Sequence, residues 1–284
     1  MAEQKAQDIT VQQLTSQKGP VDVQKAETSA VKMRVQRGTP AEGVRFEEFD
    51  VEIEEGMVVL DAVHRIQANQ DPTLACRWNC KAGKCGSCSA EINGVPRLMC
   101  MTRIDDLPAG PVTVEAVKTF PLKKDLVTDV SWNFDVNKRI QPFTPRSMTP
   151  EEKARGEFNM KQADVDRVQE FRKCIECFLC QDVCHVLRDQ DKRAQPDRNG
   201  GFYGPRFMIR IASLEMHPAD TGDRVPLLRK EAGVGFCNIT KCCTEVCPEH
   251  IHITDNGIIP MKERVADRYY DPVQLLWRLA SGKK

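Results

Sequence analysis

Residues 174–184 read CIECFLCQDVC and residues 237–248 read CNITKCCTEVCP, and the two superimpose without a gap. Cys174 falls on Cys237, Cys180 on Cys243 and Cys184 on Cys247, while Thr240 stands opposite Cys177. The first stretch has the spacing C-x2-C-x2-C-x3-C. In two-cluster ferredoxins three such cysteines bind one cluster and the fourth crosses to the other. Cys174, Cys177, Cys180 and the distant Cys247 therefore make a four-thiolate set, the complement of a [4Fe–4S] cluster. Cys184, Cys237 and Cys243 make a set of three. A hydroxyl is a poor ligand for iron, so Thr240 leaves one corner without metal and predicts [3Fe–4S]. Cys242 is the alternative fourth ligand and would make that cluster [4Fe–4S]. It is adjacent to Cys243, however, and neighbouring side chains point apart on most backbones.

A second group lies upstream. Cys80-x4-Cys85-x2-Cys88, with Cys100 following after eleven intervening residues, is the plant-type [2Fe–2S] spacing. Four thiolates must wrap a compact cluster inside a tight loop. Gly83 and Gly86 allow backbone N–H groups to approach the sulfurs without a Cβ clash, and such donors stabilise the reduced, more negative state. The competing reading is a four-cysteine zinc site, but zinc ribbons use two separated C-x2-C knuckles. Cys76 lies outside the pattern and reads as a small buried hydrophobe.

The elements that must position these thiols fall into two groups. VKMRVQR and VRFEEFDVEIEEG alternate apolar and polar residues, as a pair of antiparallel strands does. MVVLDAVHRIQANQ puts Val59, Leu60, Val63 and Ile66 on one helical face. CSAEINGVPRLMC holds an Asn93-Gly94 hairpin turn, and PVTVEAV supplies a last strand. The class is α+β: an N-terminal plant-ferredoxin-like β-grasp domain for [2Fe–2S], followed by an all-α, bacterial-ferredoxin-like domain for the two cubane-type clusters. The helical segments are KQADVDRVQEFRKC, GPRFMIRIASLEMH, RVPLLRKEAG, MKERVADRYY and PVQLLWRLA. Short helices bury little core alone, so metal is expected to pin them. The boundaries are a polar tail at 1–30, the [2Fe–2S] domain at 31–120, a linker at 121–160 and the helical domain at 161–284. Within the linker, KDLVTDVSWNFDVNKRI is expected to form an amphipathic helix between the domains. Trp132 and Trp277 read as core or interface residues.

Composition narrows the function. The 284 residues carry 41 basic and 41 acidic side chains, so there is no basic field for nucleic acid. Thirteen cysteines, odd in number and tightly spaced, argue for metal ligation in a reducing compartment rather than a disulfide framework. The opening residues lack an apolar signal region. No stretch approaches eighteen continuous apolar residues.

With these residues in hand, the chain resembles the iron–sulfur subunit of succinate dehydrogenase and fumarate reductase. CKAGKCGSC is similar to that family's C-R-x-G-x-C-G-S-C loop, and CIECFLCQDVC and CNITKCCTEVCP are similar to its two helical-domain motifs. DPTL, KDLV and FYGPR also fit, so the resemblance spans roughly residues 32–270. It implies a complex in which a flavoprotein subunit oxidises succinate at FAD. Electrons then pass singly through [2Fe–2S], [4Fe–4S] and [3Fe–4S] to a quinone at a cytochrome b-type membrane-anchor subunit. No catalytic residue for succinate is expected here. The alternatives are a quinol:fumarate reductase subunit or the iron–sulfur subunit of another flavin-linked dehydrogenase. Two departures from the family bear on the quinone. His185 stands where Pro is usual, and Asn238 replaces the His found after the cysteine matching Cys237 in ubiquinone-reducing members. The resemblance therefore marks His185 and Asn238 as quinone-proximal and favours menaquinone. It also implies a peripheral protein held on the cytoplasmic face of a bacterial plasma membrane.

Overall fold

The computed structural model describes residues 29–189 and 201–273, together with Leu276 and Ala280. Most of the tail at 1–30 lies outside the described residues, as does Trp277. Strand β1 (Ser29–Thr39) begins inside the segment expected as tail and pairs antiparallel with β2 (Gly43–Ile53). Helix α1 (Val59–Asn69) follows, with Val59, Leu60, Val63 and Ile66 all fully buried. The hairpin β3 (Ser89–Ile92) and β4 (Val95–Leu98) turns at Asn93-Gly94. Both residues have positive φ, 49° and 77°, as a two-residue hairpin turn demands. Strand β5 (Val112–Glu115) inserts between β1 and β3, parallel to β1. The sheet order is β2-β1-β5-β3-β4, a mixed sheet under one helix. Met33, Val35, Leu60, Val63, Ile92 and Val114 form the core between them.

The linker departs from the expected single helix. Its first part is a two-stranded ribbon, β6 (Leu122–Lys124) and β7 (Val127–Thr128), and only α2 (Ser131–Arg139) is helical. The reason is Asp125, which is buried at positive φ (50°) and cannot continue a helix. Its carboxylate accepts from Arg37 Nη1 (2.7 Å), Gly38 N (2.8 Å) and Ala75 N (2.8 Å), binding the ribbon to β1 and to the loop before the first cysteines. Trp132 packs edge-on to Phe207 with ring centroids 6.0 Å apart, as an interface residue.

The remaining linker is strapped to the helical domain. Arg224 has no exposed surface and donates to Gln141 O (2.9 Å), Pro142 O (2.7 Å) and Asp220 Oδ2 (2.9 Å). Helix α3 (Pro150–Arg155) starts at a capping box between Thr149 and Glu152. Beyond it come α4 (Gln162–Gln169), a 3-10 turn (Glu170–Lys173), α5 (Leu179–Asp182), α6 (His185–Asp189), α7 (Pro205–Glu215) and α8 (Val225–Lys230). A second 3-10 turn (Val234–Phe236), α9 (Cys242–Glu245), a π turn (Ile253–Ile258) and α10 (Ile259–Tyr270) complete the domain. Phe207, Met208, Ile211, Leu228 and Met261 are at its centre.

Candidate metal centres

The two cysteine motifs fold as copies. Each begins with a 3-10 turn and passes through an extended cysteine: Cys174 at φ −62°, ψ 116° and Cys237 at φ −68°, ψ 124°. Each then takes left-handed conformations at two non-glycine residues, Glu176 and Phe178 in one, Ile239 and Lys241 in the other. These pairs occupy matching positions in the gapless superposition. Helices α5 and α9 follow at matching positions and pack on each other. Left-handed backbone at a non-glycine residue costs roughly 1–2 kcal/mol. Four such residues in two short motifs mean that the loop shape is imposed by what it must surround.

The electrostatic neighbours of Cys180 are Cys174, Cys177 and Cys247, with Cys243 of the other set beside them. Cys184 neighbours Cys237 and Cys243. A small cavity is lined by Cys184, Cys237 and Cys243 together with Thr240 and Cys242. Thr240 is at this cavity, where the twin motif has Cys177. The Cys242 Sγ lies 3.5 Å from Thr240 Oγ1. Its counterpart in the first motif is Leu179, which is buried in the core of the sheet domain.

In the upstream loop the backbone donates to sulfur. Cys80 Sγ accepts from Ala82 N (3.4 Å) and Lys84 N (3.3 Å), and Cys85 Sγ accepts from Cys80 N and Ser87 N, both at 3.5 Å. Burial pushes the Cys85 thiol up, but hydrogen bonds from Ser87 and Cys80 outweigh it and bring it to about 6. Cys88 lies beside Cys100 and Cys85, and burial carries its thiol to about 12. Burial likewise raises Cys177 to about 12, Cys184 to about 11 and Cys180 well above the usual thiol range.

These donors suit iron–sulfur clusters. None of the thirteen cysteines forms a disulfide. Buried thiols with raised pKa values are stable as thiolates only against a cationic centre. Among the described residues no three His, Cys, Asp or Glu side chains are gathered to grip one ion. Cys76 is separate: it packs, partly buried, against the core of the sheet domain, and burial raises its thiol to about 12.

The first two thiol loops touch. A Cβ built on Gly86 would fall 2.6 Å from Cys177 Cα and 2.8 Å from Cys177 N. Ser89 Oγ donates to Cys177 O (2.8 Å), and Lys84 Nζ pairs with Glu249 Oε1 (2.9 Å) just beyond Cys247. Ile175, Cys177 and Leu179 pack into the core of the sheet domain. A buried latch lies beside them. Arg188 pairs with Glu91 of β3 and donates through Nε to Asp182 O (2.5 Å), while Asp182 Oδ1 accepts from Thr119 N (3.1 Å). Burial, aided by Glu91, raises the Asp182 carboxyl to about 6. The motif spacings gave no sign of this latch, because its members are single residues scattered over four segments.

Fold and thiols define a two-domain iron–sulfur protein, and comparison with known proteins agrees. The model of a 2Fe-2S iron-sulfur cluster binding domain matches residues 32–135, and that of a 4Fe-4S dicluster domain matches residues 170–251. The fumarate reductase iron-sulfur subunit of Mycobacterium tuberculosis is 32% identical over 208 residues, covering 72% of this chain and 80% of the relative. The succinate dehydrogenase iron-sulfur subunit of Bacillus subtilis is 27% identical over 240 residues, covering 81% and 90%. A chain from the Mycobacterium smegmatis Sdh1 complex in its apo form superimposes with a TM-score of 0.80 at 58% identity, covering 87% of this chain and 99% of that one. The chain belongs to the iron–sulfur subunits of the succinate dehydrogenase and fumarate reductase family. It is thus a subunit of an oxidoreductase complex and carries 2Fe-2S and 4Fe-4S domains.

Proposed function

We propose that this chain is the electron conduit of a succinate:quinone oxidoreductase. Cys80, Cys85, Cys88 and Cys100 hold [2Fe–2S], and Cys174, Cys177, Cys180 and Cys247 hold [4Fe–4S]. Cys184, Cys237 and Cys243 hold [3Fe–4S]. When bound, the clusters accept and release electrons one at a time, which couples a two-electron flavin reaction to quinone. The chain's own residues fix the order. Gly86 and Ser89 press the first loop onto Cys177, and α5 and α9 place the second and third thiol sets side by side. The observation that carries this reading is the twinned backbone with Thr240 in place of Cys177.

The twinning also supports an orientation. In the first motif Ile175, Cys177 and Leu179 are covered by the sheet domain. Among the described residues, the matching positions of the second motif, Asn238, Thr240 and Cys242, have no such cover, and beside them Phe236 (56%) and Ile239 (38%) are exposed. This open face suits the membrane-anchor subunit and its quinone, leaving the [2Fe–2S] end for the flavoprotein. Among the described residues no helix is long and apolar enough to cross a membrane; in this reading an anchor subunit holds the chain, on the cytoplasmic face. Asn238 Nδ2 lies 2.7 Å from His185 Nε2 and both line the three-thiol cavity, a polar pair that suits a quinone carbonyl; menaquinone is favoured because Asn238 replaces the His of ubiquinone-reducing relatives.

The test uses the assembled complex. Succinate should reduce the clusters, and His185→Pro should slow electron delivery to a menaquinone analogue without altering reduction by succinate. Unchanged quinone kinetics in that variant would remove His185 from the quinone site. Failure of succinate to reduce the clusters would remove the wider assignment.

A further inference from the structure

Thr254 is buried and lines the three-thiol cavity beside Cys184, Cys237 and Cys243, yet it has no part in the cysteine spacing. It belongs to the π turn Ile253–Ile258, which packs on both α7 and α9. Turns of this kind are rare and recur at functional sites. This one is fixed on two sides. Glu170 accepts from His252 N (2.8 Å) and from Asn256 Nδ2 (2.6 Å), and Lys241 of the second thiol loop pairs with Asp255 at 2.8 Å.

The Thr254 Oγ1 lies 3.5 Å from Cys243 Sγ, and in a free thiol either atom could donate. The neighbouring bonds decide the direction. Thr254 N donates to Thr244 Oγ1 (3.2 Å), and Thr244 Oγ1 donates to Thr254 Oγ1 (3.3 Å). The Thr254 hydroxyl thus accepts from Thr244, and its own proton is left for the sulfur. A thiolate bound to iron has no proton to give, so it can only accept. Burial raises the Cys243 thiol, and the Thr254 hydrogen bond opposes that rise. The twin motif is built differently. Gln181 stands where Thr244 does, but its Nε2 donates to Tyr203 O (3.0 Å) and its Oε1 accepts from Arg206 N (3.2 Å) at the start of α7. At Cys180 burial and the neighbouring thiols all push upward.

We propose that Thr254, oriented by Thr244, donates a hydrogen bond to the Cys243 thiolate and raises the reduction potential of the cluster which that thiolate holds. The inference rests on the assignment of Cys243 as a cluster ligand. A donor to a ligand sulfur stabilises the reduced, more negative state. In a buried site such a bond is stronger than in water. Within the conduit it favours passage of the electron from the second thiol set to the third.

Redox titration of the assembled complex, followed by electron paramagnetic resonance (EPR), tests this. Thr254→Val keeps the branched shape and removes the hydroxyl. The reduction constant of the Cys243-bound cluster should fall about three- to tenfold, or about 30–60 mV at about 59 mV per tenfold for one electron. Thr254→Ser keeps the hydroxyl and should keep the native potential. Thr244→Val, at a less buried position, should give a smaller fall in the same direction, and it reads the effect if Thr254→Val does not load its cluster. The [2Fe–2S] midpoint should stay fixed in all three. An unchanged midpoint in loaded Thr254→Val would overturn the proposal. So would a fall in Thr254→Ser equal to that of the valine variant, or, where Thr254→Val does not load, an unchanged midpoint in Thr244→Val. A native complex with four irons at Cys243 would remove the [3Fe–4S] reading alone, because the same shift on that cluster would still support Thr254. A complex with no cluster there would remove both.

Discussion

Replacing Gly86 with alanine probes the contact between the first two thiol sets. The new Cβ would stand 2.6 Å from Cys177 Cα, 2.8 Å from its N and 2.9 Å from its Cβ. Ordinary carbon contacts begin at about 3.5 Å, so the two loops must part by about 1 Å. Overpacking of this kind costs about 1–3 kcal/mol. Alanine at φ +67° adds roughly 1–2 kcal/mol of backbone strain. A total of about 2–5 kcal/mol corresponds to a fall in melting temperature of roughly 5–15 °C. Displacement also strains the Ser89 hydrogen bond to Cys177 O. Gly83→Ala is the control, because there the new Cβ meets only the flexible side chain of Met101 at 3.0 Å. Calorimetry of the two variants, with EPR of the reduced protein to read the magnetic coupling between the first two clusters, should show the larger fall and weaker coupling in Gly86→Ala. Equal melting temperatures and unchanged coupling would refute the close approach of the two loops.

Three further outcomes follow from the same contacts. Arg188→Met leaves Glu91 paired only with Lys118 and strips Asp182 of its cation, so denaturation should report a loss of about 3–5 kcal/mol, as when one partner of a buried pair is removed; a loss below about 1 kcal/mol would show the latch to be dispensable. Cys76→Ala should leave iron and sulfide content unchanged, since this thiol is a packing residue, and cluster loss would make it a ligand. Glu152 is held down to about 2 by Arg146 and by the Thr149 and Asn159 N–H groups, so its contribution to stability is full above the ordinary carboxylate pKa and fades as pH falls towards 2. The stability gap between the native protein and Glu152→Gln should therefore close on acidification, and a gap independent of pH would contradict the assigned cause.

Much of this architecture is legible in the sequence because it rests on strong local signals. The alternation in β1 and β2, the apolar face of α1 and the Asn93-Gly94 turn each specify their element within a dozen residues. The cysteine spacings mark one thiol loop upstream and a repeated motif downstream, since loop closure around a compact cluster tolerates few arrangements. The linker was not legible. KDLVTDVSWNFDVNKRI has helical periodicity, but Asp125 is held in a left-handed conformation by Arg37, Gly38 and Ala75, which lie 50 to 88 residues away in sequence. The Arg224 strap and the Arg188 latch are hidden for the same reason. Each depends on a buried charge whose partners come from distant segments, and no local pattern marks them. The left-handed residues of the twin motifs are also unmarked, because Glu176, Phe178, Ile239 and Lys241 are not residues that favour that conformation. Their shape is set by the loop as a whole.

The central claim is that one backbone was used twice and that a single missing thiol separates the two copies. EPR of the oxidised complex, before and after Thr240→Cys, tests it most directly. The native protein should show a three-iron signal, and the variant should lose it and gain a four-iron cluster that is silent when oxidised and paramagnetic when reduced. A native protein without the three-iron signal, or a variant that keeps it unchanged, would contradict the assignment of Thr240 to the fourth corner.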